Sequence, residues 1–386
     1  MIRILVLGGG AQGLSVSRSL CESGYEVVVI SSNKDATSYS RYVSHFEALN
    51  SPLNEPDLAS FVCRVVKTYS CKVIIPMSDA YGEFLSKNKP AIERRSGAKC
   101  AVADYDKFEV AYNKNRLLSL CERYNIPHPP TTPLNANNLE EASRKVGFPA
   151  LIKPDHSVGA RGITLVRNQD ELADKYKDVE RKYGTSTLQA YIGHAGKPYY
   201  NVMLYRDSSG RILSSVILEI QRYYPIKGGS NSYGVTVHIP ELISLCERLL
   251  SVLDWSGFVD FDVLKEEKRG YLIIEINPRV PASLRAAAVS GVNFPEMIVR
   301  GCLDMPQKEY HYSPGKALRY LGLDIMWFFA SEKRWSCSPS WFRFMGKDLY
   351  YQEGGIKDFK AMCFSLWQGM KKAFSPNFKK SKSGMS

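Results

Sequence analysis

The chain has 386 residues, 44% of them apolar and 23% charged, which suits two or three ordinary globular domains with a large core. No apolar run reaches membrane-spanning length, and MIRILVLGGG passes straight from a strand into a glycine turn without a leader-like segment, so a cytoplasmic location is expected. The net charge of +12 is partly a property of the tail, because Lys360, Lys371, Lys372, Lys379, Lys380 and Lys382 follow Asp358 with no acid among them, and no nucleic-acid partner is expected from it. Nine cysteines without a paired C-x-x-C read as reduced thiols, and six scattered histidines argue against a zinc site.

Residues 2–7, IRILVL, form a continuous apolar run of the kind buried in a parallel sheet. GGGAQG, a helical LSVSRSLCESG and the strand YEVVVI complete a strand–helix–strand unit with glycines at the helix N-terminus, where N–H groups and the dipole attract anions. Gly8, Gly10 and Gly13 match a dinucleotide fingerprint in spacing. The second strand, however, ends in Ser31, Ser32 and Asn33, without the acid that would hold a ribose hydroxyl. The alternation continues with a helix near Glu55–Tyr69, the strand KVIIPM, a helix after Asp79 and the short strand CAVAD. Phe108–Tyr124 then reads as one helix, ending at the break around Pro127.

FPALIKP is a strand ending in Lys153, a compact cation suited to phosphate oxygens. The loop after it, with Ser157, Gly159, Arg161 and Gly162, has a backbone that can approach a phosphate chain closely. STLQAYI is a further strand, and PYYNVMLYRD and RILSSVILEI pair through the turn Ser208-Ser209-Gly210. QRYYPIKGGSNSYGVTV reads as a basic, aromatic loop whose Arg222 and Lys227 would serve an acceptor or acyl-phosphate pocket. After a helix from Pro240 to Trp255 come GFVDFDVL and YLIIEINPR, two apolar runs around the charged turn KEEKRG, the signature of a hairpin. Glu275 and Asn277 leave one strand face, and a turn at Glu267–Lys268 sets Asp262 opposite Glu275. Two carboxylates and an amide in register, followed by Arg279, are oxygen donors of the sort magnesium shares with substrate phosphates. From Leu318 the composition shifts to aromatics interleaved with lysine. Trp327, Trp335, Trp341 and Trp367 all fall there, in a stretch expected to be a helical appendage.

Taken in this order, the pieces resemble an ATP-grasp enzyme of the carboxylate–amine ligase type, similar to biotin carboxylase and to the ATP-grasp domains of the carbamoyl-phosphate synthetase large subunit. The resemblance implies mixed α/β and α+β architecture: a Rossmann-like pre-ATP-grasp domain over 1–110, a two-lobed ATP-grasp domain over 111–310 with a lid near 125–190, and an aromatic-rich helical extension over 311–386 with a basic tail. It implies Lys114, Lys153, Ser157, Gly159, Gly162, Gln189, Tyr191 and Ile192 as the ATP-binding set. Asp262, Glu275 and Asn277 would hold magnesium or manganese, and Arg279 would face the reacting carboxyl-phosphate. Gln189-Ala190-Tyr191-Ile192 departs from the family's Gln-Glu-Tyr-Ile at Ala190, and no acid follows in HAGKPYYNV for the ribose. The implied reaction activates a carboxylate with ATP and passes it to an amine or similar nucleophile. Alternatives are a bicarbonate-activating carboxylase or carbamoyl-phosphate-like enzyme, an NAD(P)-dependent oxidoreductase using the glycine turn, and a non-catalytic nucleotide-binding protein. The partners expected are small carboxylates and amines, with homo-oligomerisation open. The C-terminal aromatics suit peripheral contact with a membrane or an anionic glycan.

Overall fold

The computed structural model of the protein describes residues 1–32, 34–49, 51–155, 162–193, 197–226 and 228–374. Its first sheet contains β1 (Arg3–Leu7), β2 (Glu26–Ser31), β3 (His45–Ala48), β4 (Val73–Pro76) and β5 (Lys99–Cys100), in the order β3-β2-β1-β4-β5 with every pairing parallel. Ile4–Leu7 and Val27–Ile30 are fully buried, which is why these strands are continuous apolar runs: helices cover both sheet faces. The strand expected at CAVAD shrinks to the two residues of β5.

The single helix expected over Phe108–Tyr124 is two helices, Tyr105–Tyr112 and Lys114–Arg123. Asn113 separates them with extended backbone (φ −80°, ψ 114°), and its side chain accepts the Arg116 N–H at 3.0 Å. An asparagine whose amide oxygen satisfies an otherwise orphaned N–H starts a new helix efficiently. The break makes Lys114 the first residue of the second helix and turns it inward, where it is buried.

A four-stranded antiparallel sheet follows, made of β6 (Thr131–Leu134), β7 (Ala150–Pro154), β8 (Thr164–Val166) and β9 (Ser186–Ala190), ordered β6-β9-β7-β8. Helices Leu139–Val146 and Gln169–Tyr183 pack on it around Ile152, Leu172 and Leu188. The largest sheet contains β10 (Tyr199–Arg206), β11 (Ile212–Tyr224), β12 (Ser230–Val237), β13 (Gly257–Glu266), β14 (Gly270–Asn277), β15 (Ala317–Arg319) and β16 (Leu349–Tyr351). Their order is β14-β13-β10-β11-β12-β15-β16, antiparallel except between β15 and β16. Helices Lys114–Arg123 and Pro240–Val252 cover one face through Leu117, Leu245 and Phe261; helix Phe294–Cys302 joins the other face to the first sheet.

Two expectations need correction. QRYYPIKGGSNSYGVTV is mostly hairpin, since β11 runs to Tyr224 and β12 resumes at Ser230, so Arg222 belongs to a strand. The C-terminal extension is not simply helical either: it adds β15 and β16 to the large sheet before helix Phe359–Phe374. Asp324, fully buried at the start of helix Leu321–Ala330, anchors this extension. Its carboxylate accepts from Arg319 Nε at 2.7 Å, Arg222 Nε and Nη2 at 2.9 and 3.2 Å, and Ser232 Oγ at 3.2 Å. Further along, Asp358 accepts from Ser40 Oγ at 2.6 Å and from the Arg41 N–H at 3.0 Å, tying the extension to the first domain. Phe329, Trp335, Phe342 and Met345 of the extension are exposed. No described helix is long and apolar enough to cross a membrane.

Two stability predictions follow from these anchors. Asp324→Ala strands two buried guanidinium groups, and a loss of about 3 to 5 kcal/mol is expected in the urea midpoint multiplied by the slope; a loss below about 1 kcal/mol would mean that the network is not holding the extension. Glu353, also buried, accepts the Gly322 N–H at 3.2 Å through Oε1, while Oε2 has no hydrogen-bond partner. Burial pushes its carboxyl from 4.5 up to about 7. The folded chain therefore holds this proton more tightly than the unfolded chain, so its contribution is full below about pH 4.5 and is lost as pH rises through 7. Glu353→Gln keeps the acceptor for Gly322. It is expected to melt like the unaltered chain at pH 5 and to be more stable by roughly 1 to 3 kcal/mol at pH 8, whereas an equal difference at both pH values would rule this titration out.

Candidate active site

The β13–β14 hairpin sets the centre of the site. Gly270, at φ +74°, closes the turn after Arg269, in the left-handed region where glycine is least strained. The resulting register pairs Asp262 with Glu275 and Asp260 with Asn277, so alternate residues of both strands face one cleft. On the other side of β13, Asn201 of β10 pairs with Asp262 and donates its amide N–H to that carboxylate.

Three carboxyl groups thus meet at the cleft, Asp260 buried beneath it and Asp262 and Glu275 partly open to it. Burial, reinforced by the charge of Glu275, holds Asp262 well above the carboxylate range. Burial raises Asp260 in the same way, against the pull of Arg279. Burial also acts against Glu275, but Lys114, the hydrogen bond from Asp262 and Lys153 outweigh it and hold Glu275 low. Asp262 and Glu275 share a hydrogen bond that raises the one and lowers the other. Asp260 Oδ1 has no hydrogen-bond partner, which leaves a buried oxygen acceptor without a donor.

Cations surround this cluster. Lys114 Nζ lies 3.6 Å from Glu275 Oε2. Lys153, buried at the end of β7, donates to Gln189 Oε1 at 2.5 Å, and burial brings its ammonium down to about 8 while Glu275 opposes that fall. Arg279 reaches back to the first domain, giving Nε and Nη2 to the two oxygens of Asp79 at 3.1 and 3.3 Å and Nη2 to Asn277 Oδ1 at 3.1 Å. Burial works against its charge, and Asp79 more than restores it. Asn277 turns its amide nitrogen toward Asp260 and Asp262, at 3.3 and 3.4 Å, while its oxygen is taken by Arg279.

The surrounding cleft has a volume of about 590 Å³ and also receives Leu151, Ile163, Gln189, Tyr191 and Ile192 from the four-stranded sheet. Of the residues singled out from the sequence, Lys114, Lys153, Gln189, Tyr191, Ile192, Asp262, Glu275, Asn277 and Arg279 line this one cleft. Gly162 is described, at φ +74°, but sits against Tyr183 and Pro154, where a Cβ would come within 2.7 and 2.9 Å of their side chains. Ser157, Gly159, Arg161 and Lys227 fall outside the described residues. Arg222 is a correction: it is 3% exposed and spends its guanidinium on Asp324 and on the Tyr233 ring 4.0 Å away, so it serves packing and not the cleft.

Several participants escaped the sequence reading. Asp260 had a readable signal, since it stands two residues from Asp262 and must share its face. Asn201 and Asp79 had none, because they arrive from another strand and another domain. Asp35 is a different omission. Its Oδ2 accepts the Gly10 N–H at 2.7 Å and its Oδ1 the Thr37 N–H at 2.8 Å, so the anion position at the glycine turn is filled by the chain's own carboxylate. A pyrophosphate at this turn would meet that charge, which counts against the oxidoreductase alternative.

Among the described residues no three or more His, Cys, Asp or Glu side chains form a ready-made metal cage. That is compatible with magnesium, which commonly takes one or two carboxylates and completes its shell with water and phosphate oxygens. The facing Asp262 and Glu275 and the orphaned Asp260 oxygen fit such a cation in charge and donor type.

Residues 113–194 match the family described as the carbamoyl-phosphate synthase L chain ATP-binding domain, and residues 213–323 match the family described as ATP-grasp in the biosynthetic pathway with Ter operon. Over these two stretches the chain is similar to ATP-grasp domains. It is 23% identical over 296 residues to the arginine-specific large chain of carbamoyl phosphate synthase from Geobacillus stearothermophilus, a match spanning 72% of this chain and only 27% of that relative. N5-carboxyaminoimidazole synthetase from Staphylococcus aureus superposes with a TM-score of 0.67 over 90% of each chain at 14% identity. The biotin carboxylase domain of 2-oxoglutarate carboxylase from Hydrogenobacter thermophilus, solved as a dimer with MgADP, ADP and bicarbonate, superposes with a TM-score of 0.65 at 18% identity, covering 81% of this chain and 71% of that one. Residues of the β13–β14 hairpin and of the four-stranded sheet line this one cleft together.

Proposed function

We propose that this ATP-grasp chain is an ATP- and magnesium-dependent, ADP-forming ligase that activates a carboxylate as an acyl phosphate and joins it to an amine or similar nucleophile. The observation that carries the reading is the convergence, in one cleft, of facing carboxylates on β13 and β14 with Lys114, Lys153 and Arg279. Transfer of a phosphoryl group asks a protein for positioning and charge neutralisation more than for a covalent group, and these side chains supply both.

In this reading Lys114 and Lys153 meet phosphate oxygens. Gln189, Tyr191 and Ile192 border the base, and the loop with Ser157, Gly159 and Gly162 covers the phosphates. Asp262 and Glu275, with Asn277 beside them, would hold magnesium, which neutralises charge on the phosphates when bound. Arg279, fixed in direction by Asp79, faces the carboxylate and stabilises charge as its oxygen attacks the terminal phosphorus and ADP leaves. The nucleophile then attacks the acyl carbon and phosphate departs. Lys227 remains a candidate for the acceptor side, next to Gly228 and Gly229 of the cleft lining. The MgADP of the Hydrogenobacter neighbour supports the cofactor assignment, and its bicarbonate keeps the bicarbonate-activating alternative within the same test.

The reading places the chain in the cytoplasm with small carboxylates and amines as partners, and the dimeric neighbour is compatible with a homo-oligomer. Peripheral contact with a membrane or anionic glycan rests on the exposed aromatics of the extension alone.

The test is ADP release from the purified chain over a library of acids, bicarbonate included, followed by mass analysis of the product. Acid-dependent ADP release is expected with ATP and magnesium. The double variant Asp262→Asn, Glu275→Gln is expected to fold and to lose about a hundredfold or more in kcat. Undiminished ATP turnover in that variant sinks the metal assignment, and bicarbonate-stimulated turnover without any other acid favours the carboxylase alternative.

A further inference from the structure

The cleft that holds Lys114, Lys153 and Arg279 is also walled by segments remote in sequence, on the side of Arg279 and Asp79 that the first domain supplies. The Gly10–Gln12 turn forms one side and Pro281–Ser283 another, while Tyr320, Leu323 and Gln352 of the C-terminal extension close the third. We propose that the extension is the selectivity wall of the acid-binding end, and that this end takes a monocarboxylate whose body carries no second negative charge. The inference rests on the ligase reading above and deepens it.

Charge is the first argument. Among the described lining residues the cations are Lys114, Lys153 and Arg279; the ligase reading spends the lysines on phosphate, which leaves Arg279 for the acid, and two of its nitrogens already face Asp79. What remains of its charge suffices for one carboxylate. A second anionic group in the body would lie among Asp79, Asp260 and Asp262 without a free partner, a costly arrangement in a buried cleft.

The glycine turn supplies the second argument. The N–H groups at the start of helix Gly10–Glu22 would suit a phosphorylated body, but the first of them, Gly10 N–H, already donates to Asp35. The occupation is tight: a Cβ at Gly9 would stand 2.1 Å from Asp35 Oδ2. Directly behind the Gly10–Gln12 wall there is therefore a carboxylate, whose charge disfavours a phosphate at this turn.

The wall itself is neutral and held rigidly. Gln352 is buried and donates through Nε2 to Ser15 Oγ at 3.0 Å and to the Ala11 carbonyl at 3.4 Å, clamping the extension onto the turn. Tyr320 and Leu323 flank the stretch that Asp324 pins to Arg319 and Arg222. A hydroxyl, an amide or a hydrocarbon matches these neighbours, and a second carboxylate or a phosphate does not.

The experiment measures ADP release by the full-length chain with ATP and magnesium over three size-matched sets of acids: monocarboxylates with uncharged bodies, dicarboxylates, and phosphorylated monocarboxylates. The uncharged set is expected to show kcat/KM about tenfold or more above the other two. Leu323→Ala is expected to raise KM for the best acid about tenfold and leave KM for ATP unchanged, and Leu323→Lys to move the preference toward dicarboxylates. A preference for dicarboxylates or phosphorylated acids in the unaltered chain overturns the inference and leaves the ligase reading standing. So does a Leu323→Ala variant whose KM for ATP rises as much as that for the acid. If no acid of any set stimulates ADP release while calorimetry shows ATP binding, the ligase reading falls and takes this inference with it. The comparison of acid sets needs no variant, so misfolding at Leu323 cannot obscure the charge preference.

Discussion

The structure depends on a balance of buried charge. Asp260, Asp262 and Glu275 project from two adjacent strands into one cleft, where their mutual repulsion and loss of hydration oppose folding. Lys114, Lys153 and Arg279 converge on them from a helix N-terminus, a strand end and the loop after β14. Lys114 and Lys153 are buried and Arg279 is largely so, and neither set is tolerable alone. Such a cluster is weak as a source of stability. It is suited to a site that must accept highly charged ligands without rebuilding itself, because its side chains are already oriented when the ligand arrives.

That balance also explains why the first domain is needed. Asp79 begins the helix after β4 and directs Arg279 through two hydrogen bonds, so an element remote from the hairpin decides where the arginine points. The glycine turn, which in isolation reads as an anion cradle, has a different role. With Asp35 on the Gly10 N–H and Gln352 on the Ala11 carbonyl, it becomes a wall against which the C-terminal extension packs. The extension joins through β15 and β16, through the Asp324 network and through Asp358. Arg222 belongs to this second charge network, and its distance from the chemistry follows from the chain's need to compensate Asp324.

Local rules carried the sequence reading far where the signal was periodic. The parallel sheet was legible in IRILVL and YEVVVI because strands covered on both faces must be continuously apolar. The hairpin register was legible too: strand alternation and the KEEKRG turn leave Asp262 opposite Glu275, and these residues are paired in the folded chain. The same rule would have added Asp260. It failed at Phe108–Tyr124, where the apolar pattern runs on but Asn113 exchanges a helical backbone for a cap. It failed again at QRYYPIKGGSNSYGVTV, because glycine and proline content suggested a loop while the pairing with β15 and β10 made strands of it.

The sequence by itself determined the alternation of elements, the hairpin with its carboxylates and the lysine at the end of β7, since each is set by neighbours a few residues away. Only the tertiary structure decided which charges meet. Asp79 with Arg279, Asn201 with Asp262, Arg222 with Asp324 and Gln352 with the glycine turn are pairings across domains, strands or hundreds of residues. No local spacing encodes such pairs, because they form only when packing brings distant faces together and the low dielectric between them makes every unmatched charge expensive. The hairpin supplied the donors, and the packing of remote segments determined the cleft they serve.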